Sequence, residues 1–410
     1  MDEAQYDRTR LAQFLAGEAR ADGLSRRGLM RLSAAVGVGV AAGGAGASVG
    51  GAPARAADPP ILKPLPAELF TVFGTNAETR WEALRDTGYL VPVDRFFVRN
   101  HTLTPRIDAD AWRLRISGSG LRGGPVELTY RDLRHLPSDT ITAAVECAGN
   151  GRSFFTSQQG QTVSGTAWKL GAIGVARWKG VRLSTVLKRA GLRRAAVDVQ
   201  PVGLDPDFVT GGVNLGPVRR PLPLDKALHD VLLAYEMNGE PLPPDHGFPV
   251  RVVVPNWIGI ASIKWLGQLE VSAEPLFSPW NTQFYRLFGP AYPTDGELVS
   301  RQTVKSAFEL PWEASLAAGR QVLRGRSWSG NGRIRRVEVS TDGRTWRPAR
   351  PIGHGPVWQR WELPWHPAPG AYTLRARATD VTGVTQPETV PHNTLGYLFG
   401  AIVRHPVTVV

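Results

Sequence analysis

The chain has 410 residues, a single cysteine and a formal net charge of +12. One cysteine excludes an intramolecular disulfide, and a chain of this length buries enough apolar surface without one, most simply as two domains. The arginines are scattered and no helix-turn-helix, zinc-finger or base-stacking pattern accompanies them. The charge therefore favours an anionic substrate or an acidic partner over nucleic acid.

The first 57 residues have the pattern of an export signal. Arg26 and Arg27 form a twin-arginine pair, an Ala- and Gly-rich apolar stretch covers 32–49, and a small-x-small cleavage pattern follows at 54–56. The apolar stretch is short and rich in glycine, so the pattern predicts a Tat leader that lies outside the fold and not a membrane span. A disordered basic leader is the alternative. Seven basic and five acidic residues fall in this leader, so the rest of the chain keeps +10, and we expect it in the periplasm or outside the cell.

A short apolar run ends in three polar residues, Arg99, Asn100 and His101. Such a run predicts a strand that brings its polar end to a loop-lined cavity. There Arg99 can hold an oxyanion, while Asn100 and His101 can bond a phosphate or a pterin. The alternative is an ordinary polar strand end at the surface.

Alternating apolar and polar residues predict strands at 112–116 and 126–128, followed by a turn or helix at 130–136. Beyond the cysteine, a strand at 178–181 and a short helix at 183–190 are expected. We assign this strand and this helix no chemical role beyond lining the wall of the domain.

The single cysteine lies in a glycine-rich loop after a predicted strand. The apolar run 141–145 delivers Cys147 to a strand end, and Gly149 and Gly151 let the backbone turn tightly and approach a ligand. Arg152 can stabilise a thiolate or hold an oxyanion, and a thiolate is a good ligand for a soft transition metal. The alternative is a buried cysteine that only packs.

A long stretch from 232 to 266 combines a buried strand with hydrogen-bond donors. The run 251–254 predicts the strand, and a turn at 245–247 precedes it. The donors are of the kind that a phosphate and a polar pterin require, and they are His246, Arg251, Ser262 and Lys264. A lone histidine in a turn is more often structural, and that alternative stays open for His246.

The chain changes character near residue 293. An aromatic loop that contains Tyr285 precedes the change, and a tyrosine that only packs is one interpretation of it. Residues 300–410 then show short alternating strands, with a strong hairpin signal at Asp342-Gly343. This periodicity predicts an all-β sandwich of immunoglobulin-like size.

Together these segments resemble the sulfite oxidase family of molybdopterin oxidoreductases. The resemblance rests on the 99–101 motif, the cysteine loop 143–152 and the stretch 232–266, and it covers essentially the whole chain beyond the leader. It implies an α+β molybdopterin-binding catalytic domain over 58–297 and an all-β immunoglobulin-like dimerisation domain over 298–410, after a Tat signal peptide over 1–57. A homodimer is therefore expected.

The resemblance also implies a role for each matching residue. Cys147 would bind molybdenum directly, while Arg99, Arg152 and Tyr285 would face the substrate as catalytic residues. The molybdenum–molybdopterin cofactor would be held by a larger set: Asn100, His101, Cys147, His246, Arg251, Ser262 and Lys264.

The chain departs from the family pattern at three positions. Gly151 and Leu395 stand where family members commonly carry an arginine, and Pro244 stands where many carry a basic residue. In the plant and animal enzymes the arginine at the place of Leu395 reaches the substrate pocket. This chain is therefore expected to offer two substrate arginines, Arg99 and Arg152, and to bind sulfite less tightly or to prefer another substrate.

The activity implied by the resemblance is molybdenum-dependent oxidation of sulfite to sulfate by oxygen-atom transfer. The sequence shows no Cys-x-x-Cys-His haem motif and no recognisable cytochrome or flavin domain. Electrons are therefore expected to pass to an external acceptor such as a c-type cytochrome or oxygen. The alternatives are a sulfane dehydrogenase subunit, a reductase of nitrate or sulfoxides, or a cofactor-free secreted binding protein.

Overall fold

The computed structural model describes residues 3–15 and 59–410. The twin-arginine pair and the cleavage pattern lie outside the described residues, so the leader stays a prediction. None of the helices within these two ranges has the length and apolar character needed to cross a bilayer. The α-helices are α1 (Glu3–Leu15), α2 (Tyr130–His135), α3 (Ser153–Gln159), α4 (Leu183–Arg189), α5 (Leu224–His229) and α6 (Pro279–Thr282), and turns of 3-10 helix cover Trp81–Leu84, Val93–Arg95, Pro244–His246 and Gly259–Ala261.

Most strands of the N-terminal domain are short. They are β1 (Phe70–Phe73), β2 (Asn76–Thr79), β3 (Val98–Arg99), β4 (Arg113–Ser117), β5 (Val126–Thr129), β6 (Ser138–Glu146), β7 (Ile173–Arg182), β8 (Asp198–Gly203), β9 (Val209–Thr210), β10 (Val213–Asn214), β11 (Leu222–Pro223), β12 (Leu232–Met237), β13 (Glu240–Pro241), β14 (Arg251–Val253), β15 (Leu266–Ser272), β16 (Arg286–Leu287) and β17 (Glu297–Leu298).

Two sheets form the frame of this domain. One has the strand order β11-β8-β15-β4-β5, in which only β15 and β4 run parallel. The other has the order β13-β12-β7-β6, and β14 pairs with β12 beside that path. In β4 the buried residues Leu114 and Ile116 alternate with exposed arginines, as the sequence pattern predicts for a strand with one buried face.

The hairpin of β6 and β7 carries the cysteine loop. The two strands pair without interruption from Ser138 opposite Val181 to Glu146 opposite Ile173. The predicted strand at 178–181 is therefore confirmed, but it begins earlier, at Ile173, and shares the hairpin with the predicted strand at 141–145. This long run of paired residues fixes the position at which the cysteine loop leaves the sheet.

The C-terminal domain is the predicted all-β sandwich. Its strands are β18 (Lys305–Phe308), β19 (Ala314–Leu316), β20 (Gln321–Trp328), β21 (Ile334–Ser340), β22 (Arg347–Pro348), β23 (Arg350–Ile352), β24 (Trp358–Trp365), β25 (Gly370–Asp380) and β26 (Arg404–Val409). They form one sheet of order β18-β20-β24-β23 and a second of order β19-β26-β25-β21-β22. The hairpin predicted at Asp342-Gly343 joins β21 to β22.

The chain returns to the N-terminal domain before it enters β26. Leu398 N donates to Ala148 O at 2.8 Å, so this segment is bonded directly to the cysteine loop. The Phe399 ring packs on Phe154 and Phe155 with centroids 5.6 and 5.1 Å apart. The two domains therefore share a wall at the cysteine loop.

Helix α1 packs against the N-terminal domain. Arg10 forms an ion pair with Asp198 at 3.1 Å, and both side chains are buried. The expectation that the whole of 1–57 lies outside the fold is therefore wrong for α1. The leader pattern misled here because it describes targeting chemistry and contains no information on contacts with Asp198.

Candidate active site

A buried cavity lies where the end of β3, the end of β6 and the start of β14 meet. The empty space within its walls is about 710 Å³, a figure that includes space open to solvent. Nine of the ten residues predicted for the site line it, and they are Arg99, Asn100, His101, Cys147, His246, Arg251, Ser262, Lys264 and Tyr285.

Cys147 follows directly after the last residue of β6. Its N–H continues the hairpin ladder by donating to Ala172 O at 2.9 Å. The loop then closes on itself, because Asn150 N donates to Cys147 O at 2.9 Å and Ala172 N donates to Asn150 Oδ1 at 3.0 Å. The thiol is therefore held at a fixed point of the cavity wall, with Cys147 only 8% exposed.

The backbone at Gly151 explains why this chain lacks an arginine there. Its φ of +94° lies in the left-handed region that favours glycine. A Cβ at this position would lie 3.0 Å from the Cβ of Phe399. A larger residue would strain this backbone and push Phe399 aside, so a glycine suits the loop as it is built in this chain.

Arg99 presents a charged donor to the cavity. Its Nη1 is buried and has no hydrogen-bond partner among the residues that the structure describes. Burial lowers the pKa of Arg99, but the Tyr285 phenol and the Cys147 thiol outweigh burial, so the pKa is raised. The guanidinium is thus a permanent cation with an unused nitrogen.

Arg251 and His246 form a second part of the wall. Arg251 donates to His246 O and to Ser262 O, both at 3.1 Å, and these bonds fix its guanidinium in place. Burial lowers the pKa of Arg251 to about 9. Burial, followed by the charge of Lys63, lowers the pKa of His246, whose Nε2 has no partner within the described ranges.

Lys264 joins the two parts of the wall. It donates to Asp245 O at 2.8 Å and contacts the side-chain oxygen of Asn100. Burial lowers its pKa well below the usual value, and the charge of Arg251 acts in the same direction. An anion in the cavity would relieve this repulsion and keep the ammonium charged.

His101 is held as a neutral imidazole. Trp280 Nε1 can only donate, and it donates to His101 Nε2 at 3.1 Å, so the proton of the ring lies on Nδ1. Burial lowers the pKa of His101, and the charge of Arg99 lowers it further.

Tyr285 is held by an unusual backbone and an aromatic stack. Its φ of +58° is rare for a residue with a bulky side chain, a kind of strain that clusters at functional sites. The ring stacks on Tyr397 with centroids 5.1 Å apart and planes 7° apart. Burial raises the pKa of Tyr285, so the phenol keeps its proton and can donate it in a hydrogen bond.

Arg152 is the one predicted site residue that does not line this cavity. Its Nε donates to Leu395 O and its Nη1 to Thr166 O, both at 2.9 Å. The guanidinium lies 5.3 Å from the ring centroid of Tyr397. Arg152 therefore lies against Tyr397 and outside the cavity lining, with its Nε and Nη1 bonded to backbone carbonyls.

Sequence reasoning missed two residues of the site, Asp205 and Tyr397. Asp205 lines the cavity, and burial raises its pKa to about 6 although Val218 N donates to its carboxylate at 3.1 Å. Asp205 lies in an ordinary turn-like stretch with no motif around it. Tyr397 could have been found as an aromatic residue two positions after Leu395, where an arginine was expected.

The donors of the cavity fit a polar anionic cofactor. Buried, unpartnered nitrogens cost free energy unless a ligand satisfies them, and Arg99 and His246 each provide one. Within 3–15 and 59–410, no three His, Cys, Asp or Glu side chains converge on a possible metal position. A metal bound to Cys147 would therefore take further ligands from an organic group, as the dithiolene of molybdopterin provides.

Both halves of the chain match known families. Residues 101–280 match the oxidoreductase molybdopterin binding domain, and residues 299–409 match the Mo-co oxidoreductase dimerisation domain. The chain is similar to mitochondrial sulfite oxidase from Rattus norvegicus, with 37% identity over 82% of this chain and 64% of that protein. It thus spans less than two thirds of the length of the rat relative.

Two further similarities cover more of the related protein. Sulfite oxidase from Arabidopsis thaliana is 34% identical over 65% of this chain and 71% of that protein. Among solved structures, the sulfane dehydrogenase SoxCD from Paracoccus pantotrophus matches with a TM-score of 0.69 and 30% identity, over 80% of this chain and 82% of that chain.

Proposed function

Because the chain belongs to the sulfite oxidase family of molybdopterin oxidoreductases, we propose that it oxidises sulfite to sulfate at a molybdenum held by molybdopterin and Cys147. One observation carries this proposal: a buried thiol and the unpartnered Nη1 of Arg99 line the same space. The thiol offers a ligand for the metal, and the arginine offers a charged donor for an oxyanion.

The chain supplies position and charge for the cofactor. Molybdopterin with its molybdenum, when bound, supplies oxygen-atom transfer and accepts two electrons. Arg251, Lys264 and His246 provide donors for its anionic and polar groups. Ser262 Oγ accepts from Val254 N at 3.0 Å and therefore keeps its own proton available to donate.

Two residues are suited to hold the substrate oxygen atoms. Arg99 stays charged, and its free nitrogen can bind an anionic oxygen. Tyr285 keeps its phenolic proton because burial raises its pKa, so it donates rather than accepts at ordinary pH. His101 is neutral and is anchored by Trp280 at 3.1 Å, so it adds no charge that would compete for the anion.

The substrate preference depends on the second arginine. Arg152 lies against Tyr397, and no third arginine follows because Leu395 occupies its place. We propose that Arg152 supports anion binding from beside Tyr397, so that the substrate meets two arginines, Arg99 and Arg152, and not three. Affinity for sulfite should then respond to changes at Arg99 and at Arg152.

Metal analysis and a sulfite assay test the proposal together. The full chain, purified from cells that make molybdopterin, is expected to hold about one molybdenum atom per chain. Turnover of sulfite is followed with cytochrome c, ferricyanide and oxygen as alternative acceptors. A chain without molybdenum, even though its host loads other molybdenum enzymes, would instead support a binding protein that carries no cofactor.

A second substrate is favoured by one structural match. The structure of SoxCD, a sulfane dehydrogenase, covers 80% of this chain at 30% identity. A sulfane substrate would depend less on arginines that bind oxyanions, which agrees with Leu395 at a position where an arginine was expected. Molybdenum-loaded chain that reduces an acceptor with a persulfide but not with sulfite would favour this activity.

Export, assembly and the electron acceptor complete the proposal. The twin-arginine pair supports Tat export to the periplasm or beyond, and the dimerisation domain supports a homodimer. An external carrier such as a c-type cytochrome, or oxygen, would take the electrons. Precursor with both Arg26→Lys and Arg27→Lys should remain in the cytoplasm, and unimpaired secretion would reject the Tat route.

A further inference from the structure

Helix α1 is attached to the N-terminal domain through one buried carboxylate. Tyr6 Oη donates to Asp198 Oδ1 at 2.6 Å, while Arg10 donates from Nε to Oδ2 and from Nη2 to Oδ1, both at 3.1 Å. Tyr6 is 7% exposed, Arg10 8% and Asp198 0%. A guanidinium bonded to both oxygens of a carboxylate adds geometric specificity, which distinguishes this contact from an ordinary surface pair.

The spacing of residues on α1 produces this contact. Tyr6, Arg10 and Phe14 recur every four residues, so they share one face of the helix. The Arg10 guanidinium lies 4.7 Å from the centroid of the Tyr6 ring. The Phe14 ring lies 5.7 Å from the ring of Phe277 on the domain. Charge, hydrogen bonding and aromatic contact therefore all lie on the docked face, whereas Arg8 on the same helix is exposed.

The surface that receives α1 is assembled only by folding. Asp198 is the first residue of β8, Phe277 lies in the loop after β15, and Ser300 follows β17. Ser300 Oγ donates to Asp7 Oδ2 at 3.1 Å, and Leu276 N donates to Asp198 Oδ2 at 2.8 Å. These segments are far apart in sequence, so an unfolded chain cannot present them together.

We propose that Glu3–Leu15 is a docking helix whose partner is the folded N-terminal domain of the same chain. An isolated helix of this length, 13 residues, is marginal in water, so α1 owes its helicity to docking. Ten residues separate Leu15 from Arg26, a tether that spans at most about 40 Å when extended. Docking therefore fixes one end of the segment that leads to the twin-arginine pair once the domain has folded.

Hydrogen exchange of the full chain tests this proposal. Amides of 6–15 are expected to be protected in the native chain and to exchange at least tenfold faster in Arg10→Met. This variant removes the two guanidinium bonds to Asp198, and methionine is still a good helix former. Arg8→Met makes the same chemical change on the exposed face and should leave exchange unchanged. Tyr6→Phe removes one hydrogen bond and should have a smaller effect than Arg10→Met.

A denaturant series gives the second measurement. Protection of α1 should disappear at or below the denaturant concentration at which the amides of β8 become exposed. Equal exchange in Arg10→Met and Arg8→Met would overturn the proposal, and so would protection of α1 that survives unfolding of β8. The Tat interpretation is not at stake in this test, because secretion of the double-lysine precursor examines it separately.

Discussion

Two clusters of buried charge lie on either side of Cys147, and they differ in how their charges are satisfied. In the first, Lys305 Nζ donates to Glu146 Oε1 and to Asn150 O, both at 2.8 Å, and Trp328 Nε1 donates to Glu146 Oε2 at 3.0 Å. In the second, the cofactor cavity, Arg99 Nη1 and His246 Nε2 find no partner among the described residues.

The difference separates a structural role from a binding role. A buried ion pair whose charged atoms are hydrogen-bonded within the protein needs no ligand and fixes the position of what it holds. The first cluster, Glu146–Asn150–Lys305–Trp328, joins the C-terminal sandwich to both ends of the cysteine loop. A cluster with excess cations and free donors is instead suited to bind an anionic ligand.

The largest effect on activity is expected for Cys147, which lies between the two clusters. Cys147→Ser replaces a soft thiolate with a hard hydroxyl, so sulfite turnover should fall by roughly a hundredfold or more. The Glu146 cluster is untouched, so the thermal unfolding curve of the cofactor-free chain should barely move. Steady-state assays and thermal scans measure the two effects, and turnover above a tenth of wild type would argue strongly against metal ligation.

Removing the cation of the Glu146–Asn150–Lys305–Trp328 cluster should lower the free energy of unfolding. Lys305→Met leaves the buried Glu146 without its cation, and the free energy of unfolding should fall by about 3–5 kcal/mol in chemical denaturation. Lys179 provides the matched control, because its pair with Glu236 at 3.0 Å is 43% exposed on the lysine side. Lys179→Met should cost less than about 1 kcal/mol.

A double variant separates charge from packing at this cluster. Glu146→Gln combined with Lys305→Met removes both charges and should recover part of the loss. If Lys305→Met lowers the free energy of unfolding no more than Lys179→Met does, the cluster does not hold the cysteine loop in position as described.

Anion binding in the cavity should respond to added and removed arginines. Arg152→Gln should raise the Michaelis constant for sulfite, and Leu395→Arg should lower it, each by about tenfold to a hundredfold, the effect of one charged hydrogen bond of roughly 1.5–3 kcal/mol. Leu395→Met is the uncharged control for side-chain length. An unchanged Michaelis constant in both charge variants would indicate a substrate other than sulfite.

The smallest stability change is expected at the unsatisfied cluster. Lys264→Met removes a cation that is destabilised first by burial and then by the charge of Arg251, so the cofactor-free chain should be unchanged or up to about 1 kcal/mol more stable. The molybdenum content of the purified protein should nevertheless fall. A loss of stability as large as that of Lys305→Met would erase the distinction between the two clusters.

The strands and most of the cavity were predictable because both depend on local patterns. Leu114 and Ile116 alternate with polar residues, and Arg99, Cys147 and Arg251 stand at the ends of apolar runs. Strand ends of one domain tend to meet, so a site built from them can be recognised in sequence.

The remainder depends on contacts between distant segments. The glycine at 151 is needed because Phe399 packs over it, and Arg152 lies outside the cavity because Leu395 O and Thr166 O capture its guanidinium. Asp198 receives Arg10 across 188 positions. No periodicity or motif encodes such pairs. The Glu146–Asn150–Lys305–Trp328 cluster and the docking of α1 therefore became visible only in the fold.

The hydrogen bond between Arg152 and Leu395 also sets the earliest time during synthesis at which the cysteine loop can be closed. The two residues are 243 positions apart, and ribosomes add about 5–20 residues per second, so roughly 12–50 seconds of synthesis separate them. Until then Tyr285 has no Tyr397 to stack on, and Ala148 lacks its bond from Leu398. A nascent chain therefore carries an open cysteine loop, and the wall that closes it is among the last parts to be made.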